Sequence, residues 1–190
     1  MKHNIQDSFG HSYFIRVSKL IRRANIKDAE VIAKMLIQSW CVSYQKILPK
    51  ELLADLSVIE WTKGWKEHLR NTQSEVYVLQ EEQELIGVVE VCPFKEQYLS
   101  QYSNYIEIPV FYLLIDKVGL GHGRKMMTNI LSILQSKETE GIAIWVLEKN
   151  LRARSFYSKF GFTFSGETKN FSKGNVKEFL YIRKIKVNEQ

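Results

Sequence analysis

A chain of 190 residues has room for one domain and little more, and it is long enough to bury a sizeable core. Its 45% hydrophobic and 25% charged content is that of a soluble globular protein, and its longest apolar run, Ile108 to Ile115, is far too short to cross a bilayer. The net charge of +6 raises nucleic acid, membrane surface and anionic small ligands as partners, but the positive residues from Lys2 to Lys186 are interleaved with acids and never run five together. No nucleic-acid face is expected from such scatter, and the excess reads as a solvated surface, part of which attracts a polyanionic ligand.

The two cysteines, Cys41 and Cys92, stand far apart, and the four histidines (His3, His11, His68, His122) form no ligand pair. Neither a disulfide framework nor a metal centre is expected. The start, Met1-Lys2-His3-Asn4, leads into no apolar signal core, and the expected location is cytoplasmic.

Residues 1–18 carry no period and read as an N-terminal extension ahead of a domain over 19–187. Leu20-Ile21-Arg22-Arg23 has the character of a short strand. Asp28 is the expected N-cap of an amphipathic helix, because Ala29, Ile32, Ala33, Leu36, Ile37 and Trp40 recur at helical spacing. Pro49 opens a second helix carrying Leu52, Leu53 and Leu56, and a third is expected over 58–70, with Trp61 and Trp65 four apart. The runs at 76–79 and 85–89, joined by Glu81-Glu82-Gln83-Glu84, predict a β-hairpin. A strand is expected from Ile106 to Asp116. A glycine loop follows, and then a helix opening at Arg124-Lys125 and carrying Met126, Met127, Ile130, Leu131 and Leu134. Ile142 to Leu147 is continuously apolar, as a strand buried on both faces is. A helix over 150–160 stops at Gly161, and Phe162–Ser165 and Lys177–Ile185 supply two last strands. This order predicts a three-layer α/β fold with one central crossover.

The strand that runs into Gly119-x-Gly121-x-Gly123 and a helix is an anion site in physical terms. Small residues let backbone close on a phosphate, and the helix start offers N–H groups and a favourable dipole. The spacing fits neither a P-loop nor the G-x-G-x-x-G dinucleotide loop, whose third glycine would fall at Arg124. A plain glycine turn is the bland alternative, but three alternate glycines lose much backbone entropy on ordering.

The loop Val118-Gly119-Leu120-Gly121-His122-Gly123 resembles the Gln/Arg-x-x-Gly-x-Gly/Ala loop of the GCN5-related N-acetyltransferases. Their N-x-x-A-x-x-x-Y-x-x-x-G-F motif is matched by Asn150, Ala153, Tyr157, Gly161 and Phe162. Further upstream, Ile21-Arg22-Arg23-Ala24, Asp28-Ala29, Ser39-Trp40, Tyr44 and Leu48-Pro49 are similar too, so the resemblance spans about residues 20–186. It implies a mixed, mostly antiparallel sheet with two splayed parallel strands and helices on both faces. It also implies an acetyl-CoA-dependent N-acetyltransferase without a metal, whose amine acceptor attacks the thioester directly, and it is compatible with a homodimer.

Carried over residue by residue, the resemblance seats the pyrophosphate on Gly119, Leu120, Gly121, His122, Gly123 and Arg124. The pantetheine runs along Leu113, Leu114 and Ile115, and a backbone N–H near Leu114 polarises the thioester carbonyl. Tyr157 is the expected acid for the leaving thiolate, with a helix-pinning aromatic as the alternative. Glu107 is the candidate base, acting through water, and Glu90 and Glu148 are lesser candidates. Pro109 predicts a bulge or lost pairing in its strand. Asn150 either caps its helix or contacts the cofactor, and His122 is incidental in its own right. The acceptor cleft is implied along about 40–56 and 167–176, with Trp40 and Tyr44 either lining it or serving as core. No acidic cluster announces a polyamine acceptor, and nothing marks a peptide groove. One departure stands out. Val118 replaces the Gln or Arg of the family loop, which gives an alternative reading: a degenerate acetyltransferase fold that senses CoA or serves as an interaction module.

Overall fold

The computed structural model describes residues 2–6 and 12–16 as backbone, and residues 19–70, 73–172 and 176–185 in full apart from the side chain of Lys19. The elements are β1 (Lys2–Gln6), β2 (Ser12–Arg16), β3 (Lys19–Arg23), α1 (Ala29–Ser43), α2 (Lys50–Ala54), α3 (Val58–His68), β4 (Glu75–Glu81) and β5 (Glu84–Pro93), then β6 (Tyr105–Leu113), α4 (His122–Gln135), β7 (Gly141–Leu147), α5 (Leu151–Ser158), β8 (Thr163–Asn170) and β9 (Lys177–Lys184). Among the described residues seven strands form one sheet in the order β3-β4-β5-β6-β7-β9-β8. Every neighbouring pair is antiparallel except β6 and β7.

The two sheet faces follow from side-chain alternation, which the register shift at Leu79/Gln80 resets so that Leu85 shares the face of Val88. Val76, Val78, Leu85 and Val88 point one way, against Ile32, Met35 and Leu36 of α1 and the two tryptophans of α3. Leu79, Val89, Val91, Ile142 and Ile144 point the other way, against Met126, Met127, Ile130 and Leu134 of α4 and Tyr157 of α5. Under β7 and β9 a third cluster joins Ala143 and Leu180 to Leu99 and Tyr105, with Phe94, Tyr102 and Trp145 packed on it. This is the expected three-layer α/β arrangement.

Several local expectations change. The extension is not featureless, since β1 and β2 pair as an antiparallel ribbon with Asn4 opposite Phe14, apart from the main sheet. Asp28 does not cap α1 through its side chain. Instead it accepts the Asn25 amide at 2.7 Å and both arms of the Arg22 guanidinium at 2.8 Å, while Asn25 caps the tight turn Ile26–Asp28. The strand expected to reach Asp116 stops at Leu113, because residues 115–117 form a 3-10 turn. Helix α4 begins at His122, two residues before Arg124, so Gly123 lies inside its first turn. β8 runs on to Asn170 through a register shift after Phe164, with Gly166 at φ +95°. Of the connection expected along the acceptor cleft, residues 173–175 lie outside the described residues, as do 186–187 at the end of the expected domain.

Candidate active site

β6 and β7 pair for three positions only, Tyr105 with Gly141, Ile106 with Ile142 and Glu107 with Ala143, and then part. The cause is local. Pro109 has no N–H to give a ladder. On the other edge, Glu90 pairs with Val110 and Cys92 with Glu107, so Ile108 and Pro109 together oppose Val91. That is a β-bulge, and it turns β6 away from β7. The cleft so opened holds about 1100 Å³ between the strands and the starts of α4 and α5.

The bulge fixes which backbone faces the cleft. The Leu114 amide donates to the Ile86 carbonyl at 3.0 Å, so it is already engaged with β5. Antiparallel bonding alternates, and the register of β5 with β6 therefore turns the N–H groups of Phe111 and Leu113 to the open side. Both residues line the cleft, and the Leu113 carbonyl accepts from Ser39 Oγ at 3.1 Å. The amide in this stretch that faces the cleft is thus that of Leu113, and Leu114 itself packs against the core. Ile115 lines the cleft.

At one end stands the glycine loop. Gly119 and Gly121 have φ of +90° and +88°, and a Cβ built on either meets nothing within 4 Å. The backbone there is bare and open, as a phosphate cradle requires. Lys125 N–H makes the first intrahelical bond of α4, to the Gly121 carbonyl at 3.1 Å, so the amides of Gly123 and Arg124 have no intrahelical acceptor. Gly123 is favoured for a different reason, since an added Cβ would lie 3.3 Å from Leu113 Cδ1 and that side chain would have to give way slightly. Gly119, Gly121, Gly123 and Arg124 line the cleft. The Leu120 side chain is exposed and that of His122 is buried, and neither lines it. Val118 does, and so do Arg152 of α5 and Lys159 just past its end.

Toward the other end three tyrosines meet. The hydroxyls of Tyr44 and Tyr112 are 2.8 Å apart, and the side chain of Asn150 is a further hydrogen-bonding neighbour of Tyr44. Asn150 also caps α5, accepting the Ala153 amide at 3.1 Å, so the cap and the cleft contact are one residue's two roles. Tyr157 is buried and lines the cleft, and its hydroxyl titrates well above the ordinary tyrosine value, first through burial and then through Tyr44. Burial pushes Tyr112 and Tyr44 upward as well. Trp40 and Tyr44, read from sequence as either cleft or core, both line the cleft with Trp145 and Phe171.

The carboxylates are divided. Glu107 is buried and is not among the lining residues; its Oε2 accepts the Lys95 amide at 3.3 Å, and burial raises its titration. Glu90 lies under α3, with its Oε1 3.0 Å from His68 Nε2. The Glu148 side chain is not in the lining either, and the carbonyl of Glu148 accepts from Arg154. Glu178 on β9, which the sequence did not single out, does line the cleft, and burial raises its titration too. Cys41 is exposed, and burial pushes the Cys92 thiol up to about 11, which keeps it protonated. Among the described residues no helix is long and apolar enough to cross a membrane.

Some of what the sequence missed was readable. Arg152, Phe156 and Lys159 recur at i, i+4 and i+7 along α5 and its C-cap, one helical face. Tyr112 and Glu178 were not, because their direction depends on the bulge and on the β7–β9 pairing.

Comparison with known proteins agrees with this geometry. The model of the acetyltransferase (GNAT) family matches residues 33–162, well over half of the chain. The uncharacterized N-acetyltransferase YuaI of Bacillus subtilis (strain 168) is 27% identical over 132 residues, 68% of this chain and 72% of YuaI. Among solved structures, the PaiA N-acetyltransferase of Thermoplasma acidophilum in complex with coenzyme A superposes with a TM-score of 0.69 at 20% identity, covering 88% of this chain and 99% of that one. NAA60 of Arabidopsis thaliana in complex with a bisubstrate analogue gives 0.65 at 12% identity, over 88% and 98%. These two share the fold. The splayed strands, the glycine loop and the matched sequence span together make the chain a member of the acetyltransferase (GNAT) family.

Proposed function

We propose that the protein moves the acetyl group of acetyl-CoA onto an amine by direct attack of the amine on the thioester. The observation that carries this reading is the single cleft running from an open glycine cradle, past the cleft-facing amide of Leu113, to a buried Tyr157. When bound, acetyl-CoA supplies an acyl group already activated as a thioester.

The residues divide the work. Backbone at Gly119–Arg124 receives the phosphates, Arg124 adds positive charge there, and Arg152 and Lys159 are further cations of the lining. The Phe111 and Leu113 amides hold the pantetheine arm as an added strand, and Leu113 N–H stabilises the charge that develops on the thioester oxygen. Tyr157 gives its proton to the departing sulfur, and its raised titration keeps that proton in place at neutral pH. Glu107, standing behind the lining, would act on the amine only through water.

A second reading, CoA sensing without turnover, is favoured by one observation: Val118 lines the cleft where the family loop carries Gln or Arg. Calorimetry with acetyl-CoA, desulfo-CoA and ATP, followed by thiol release against an amine panel, separates the two. Selective binding of the CoA ligands with turnover supports the transferase. Selective binding without turnover on any amine supports the sensor, and no selective binding defeats both.

A further inference from the structure

Of the described residues that line the cleft, Glu178 is the one carboxylate. It is half-buried on β9, opposite Leu147 of β7 and Lys169 of β8. Aromatic rings surround that end: Trp40 lies 5.6 Å from Tyr44 and 6.1 Å from Phe171, and Trp145 lines the same cleft. Rings and carboxylate together form the setting that holds an ammonium group. The protein already uses such a setting once, beside this place. The Lys169 ammonium stands 4.3 Å over the Trp145 ring and is ion-paired with Glu96. Trp145 Nε1 is itself buried without a hydrogen-bond partner among the described residues.

The charges facing Glu178 are Lys169 of β8, Glu107 of β6, and Glu96 in the segment after β5; Tyr44, just past α1, and Tyr98 are the tyrosines that feel its charge. Glu96 is committed to Lys169, and Glu107 is set back from the lining. Glu178 is therefore joined by Glu107 and Glu96 from a distant stretch of the chain, an acidic grouping that the sequence does not display.

We propose that Glu178 is the carboxylate that receives the acceptor ammonium and takes its proton, and that the acceptor is a primary amine on an uncharged or cationic aliphatic arm. The inference rests on the acetyl-transfer reading. A free amino acid is a poor fit, because the carboxylate beside its nitrogen would meet Glu178 with Glu107 and Glu96 close behind. In the step, the ammonium proton passes to the Glu178 carboxylate and leaves a nitrogen lone pair. That pair forms the C–N bond as the C–S bond breaks. The nitrogen loses a second proton, the thiolate takes one from Tyr157, and one proton is released net.

The test compares wild type, Glu178→Gln and Glu107→Gln. It uses n-butylamine, 1,4-diaminobutane and glycine as acceptors, kcat/KM against pH, and acetyl-CoA binding by calorimetry. A base works only when unprotonated, so the rate falls as pH drops through the raised Glu178 value. Glu178→Gln is expected to lose about 100-fold in kcat/KM and its acidic limb, with acetyl-CoA affinity unchanged. Glu107→Gln is expected to retain an acidic limb, displaced to lower pH because Glu107 is one of the charges that raise Glu178, and both aliphatic amines to be used well ahead of glycine. Wild-type rate and acidic limb in Glu178→Gln, or glycine preferred, overturns the proposal. Acetyl-CoA binding with no turnover of either aliphatic amine overturns it too, whereas absence of acetyl-CoA binding overturns the acetyl-transfer reading beneath it.

Discussion

The Tyr44 hydroxyl, just past the end of α1, meets the Tyr112 hydroxyl of β6 at 2.8 Å, and this bond ties the helix end to the bulged strand over the cleft. Ser39 Oγ, five residues earlier, holds the Leu113 carbonyl at 3.1 Å. The cleft-facing stretch of β6 is thus fixed from α1 on the side that β7 leaves open. Tyr44→Phe and Tyr112→Phe are each expected to cost about 1 kcal/mol in urea unfolding, since each leaves a hydroxyl short of a partner. The double variant should cost less than the sum, because both changes remove one bond. Strict additivity would show that the two hydroxyls do not interact.

Tyr157→Phe removes only a hydroxyl from a buried ring already packed near Phe111, Phe156 and Phe162. Turnover is expected to fall by about 100-fold with acetyl-CoA affinity kept. The raised titration carries a second expectation. An acid must hold its proton to act, so Tyr157 stays competent at and above the ordinary tyrosine value. Its own deprotonation should not produce an alkaline limb near pH 10. A limb there that vanishes in Tyr157→Phe would contradict the burial argument.

Gly121→Val tests the cradle. At φ +88° a β-branched residue is strained by about 1–2 kcal/mol or more, yet its Cβ meets nothing within 4 Å. The fold should survive with a modestly lower Tm while acetyl-CoA binding is lost in calorimetry. Arg124→Ala, at an exposed position, is expected to weaken binding by about tenfold with no change in Tm. Parent-like binding in both variants would remove the loop from the site.

The fold was largely legible from the sequence because its signals are local: helical periodicity from Ala29 to Trp40, the hairpin over 76–89, and the apolar run at Ile142–Leu147. Pro109 announced the break in pairing that opens the cleft. Glycine spacing marked the loop, but the true helix start at His122 rests on the left-handed turn of Gly121, which propensity alone does not reveal. Leu113 in place of Leu114, and Glu178 beside Glu107, depend on strand parity. A one-residue bulge reverses which side chains face a cleft. Asp28 misled for a similar reason, since a good capping residue type was claimed by a tertiary partner, Arg22.

That Arg22–Asp28 pair gives the last prediction. Asp28 is buried, with both carboxylate oxygens held by Arg22 at 2.8 Å and Oδ2 also holding the Asn25 amide at 2.7 Å. Burial opposes its charge, but the Arg22 and Asn25 bonds outweigh burial and lower its titration below 3.8. A carboxyl whose native value is depressed contributes stability that is fully present above its unfolded value. That stability is lost as pH falls through the native value. Asp28→Asn keeps the shape but cannot accept the same set of bonds, and it is expected to cost about 1–3 kcal/mol at neutral pH. Urea midpoints from pH 7 down to pH 2 should show the gap between parent and variant constant at first, then closing below about 4 as the parent's Asp28 is protonated. A gap that stays the same at pH 2 would mean that the charge on Asp28 contributes nothing, and that its place at the mouth of α1 is a matter of shape alone.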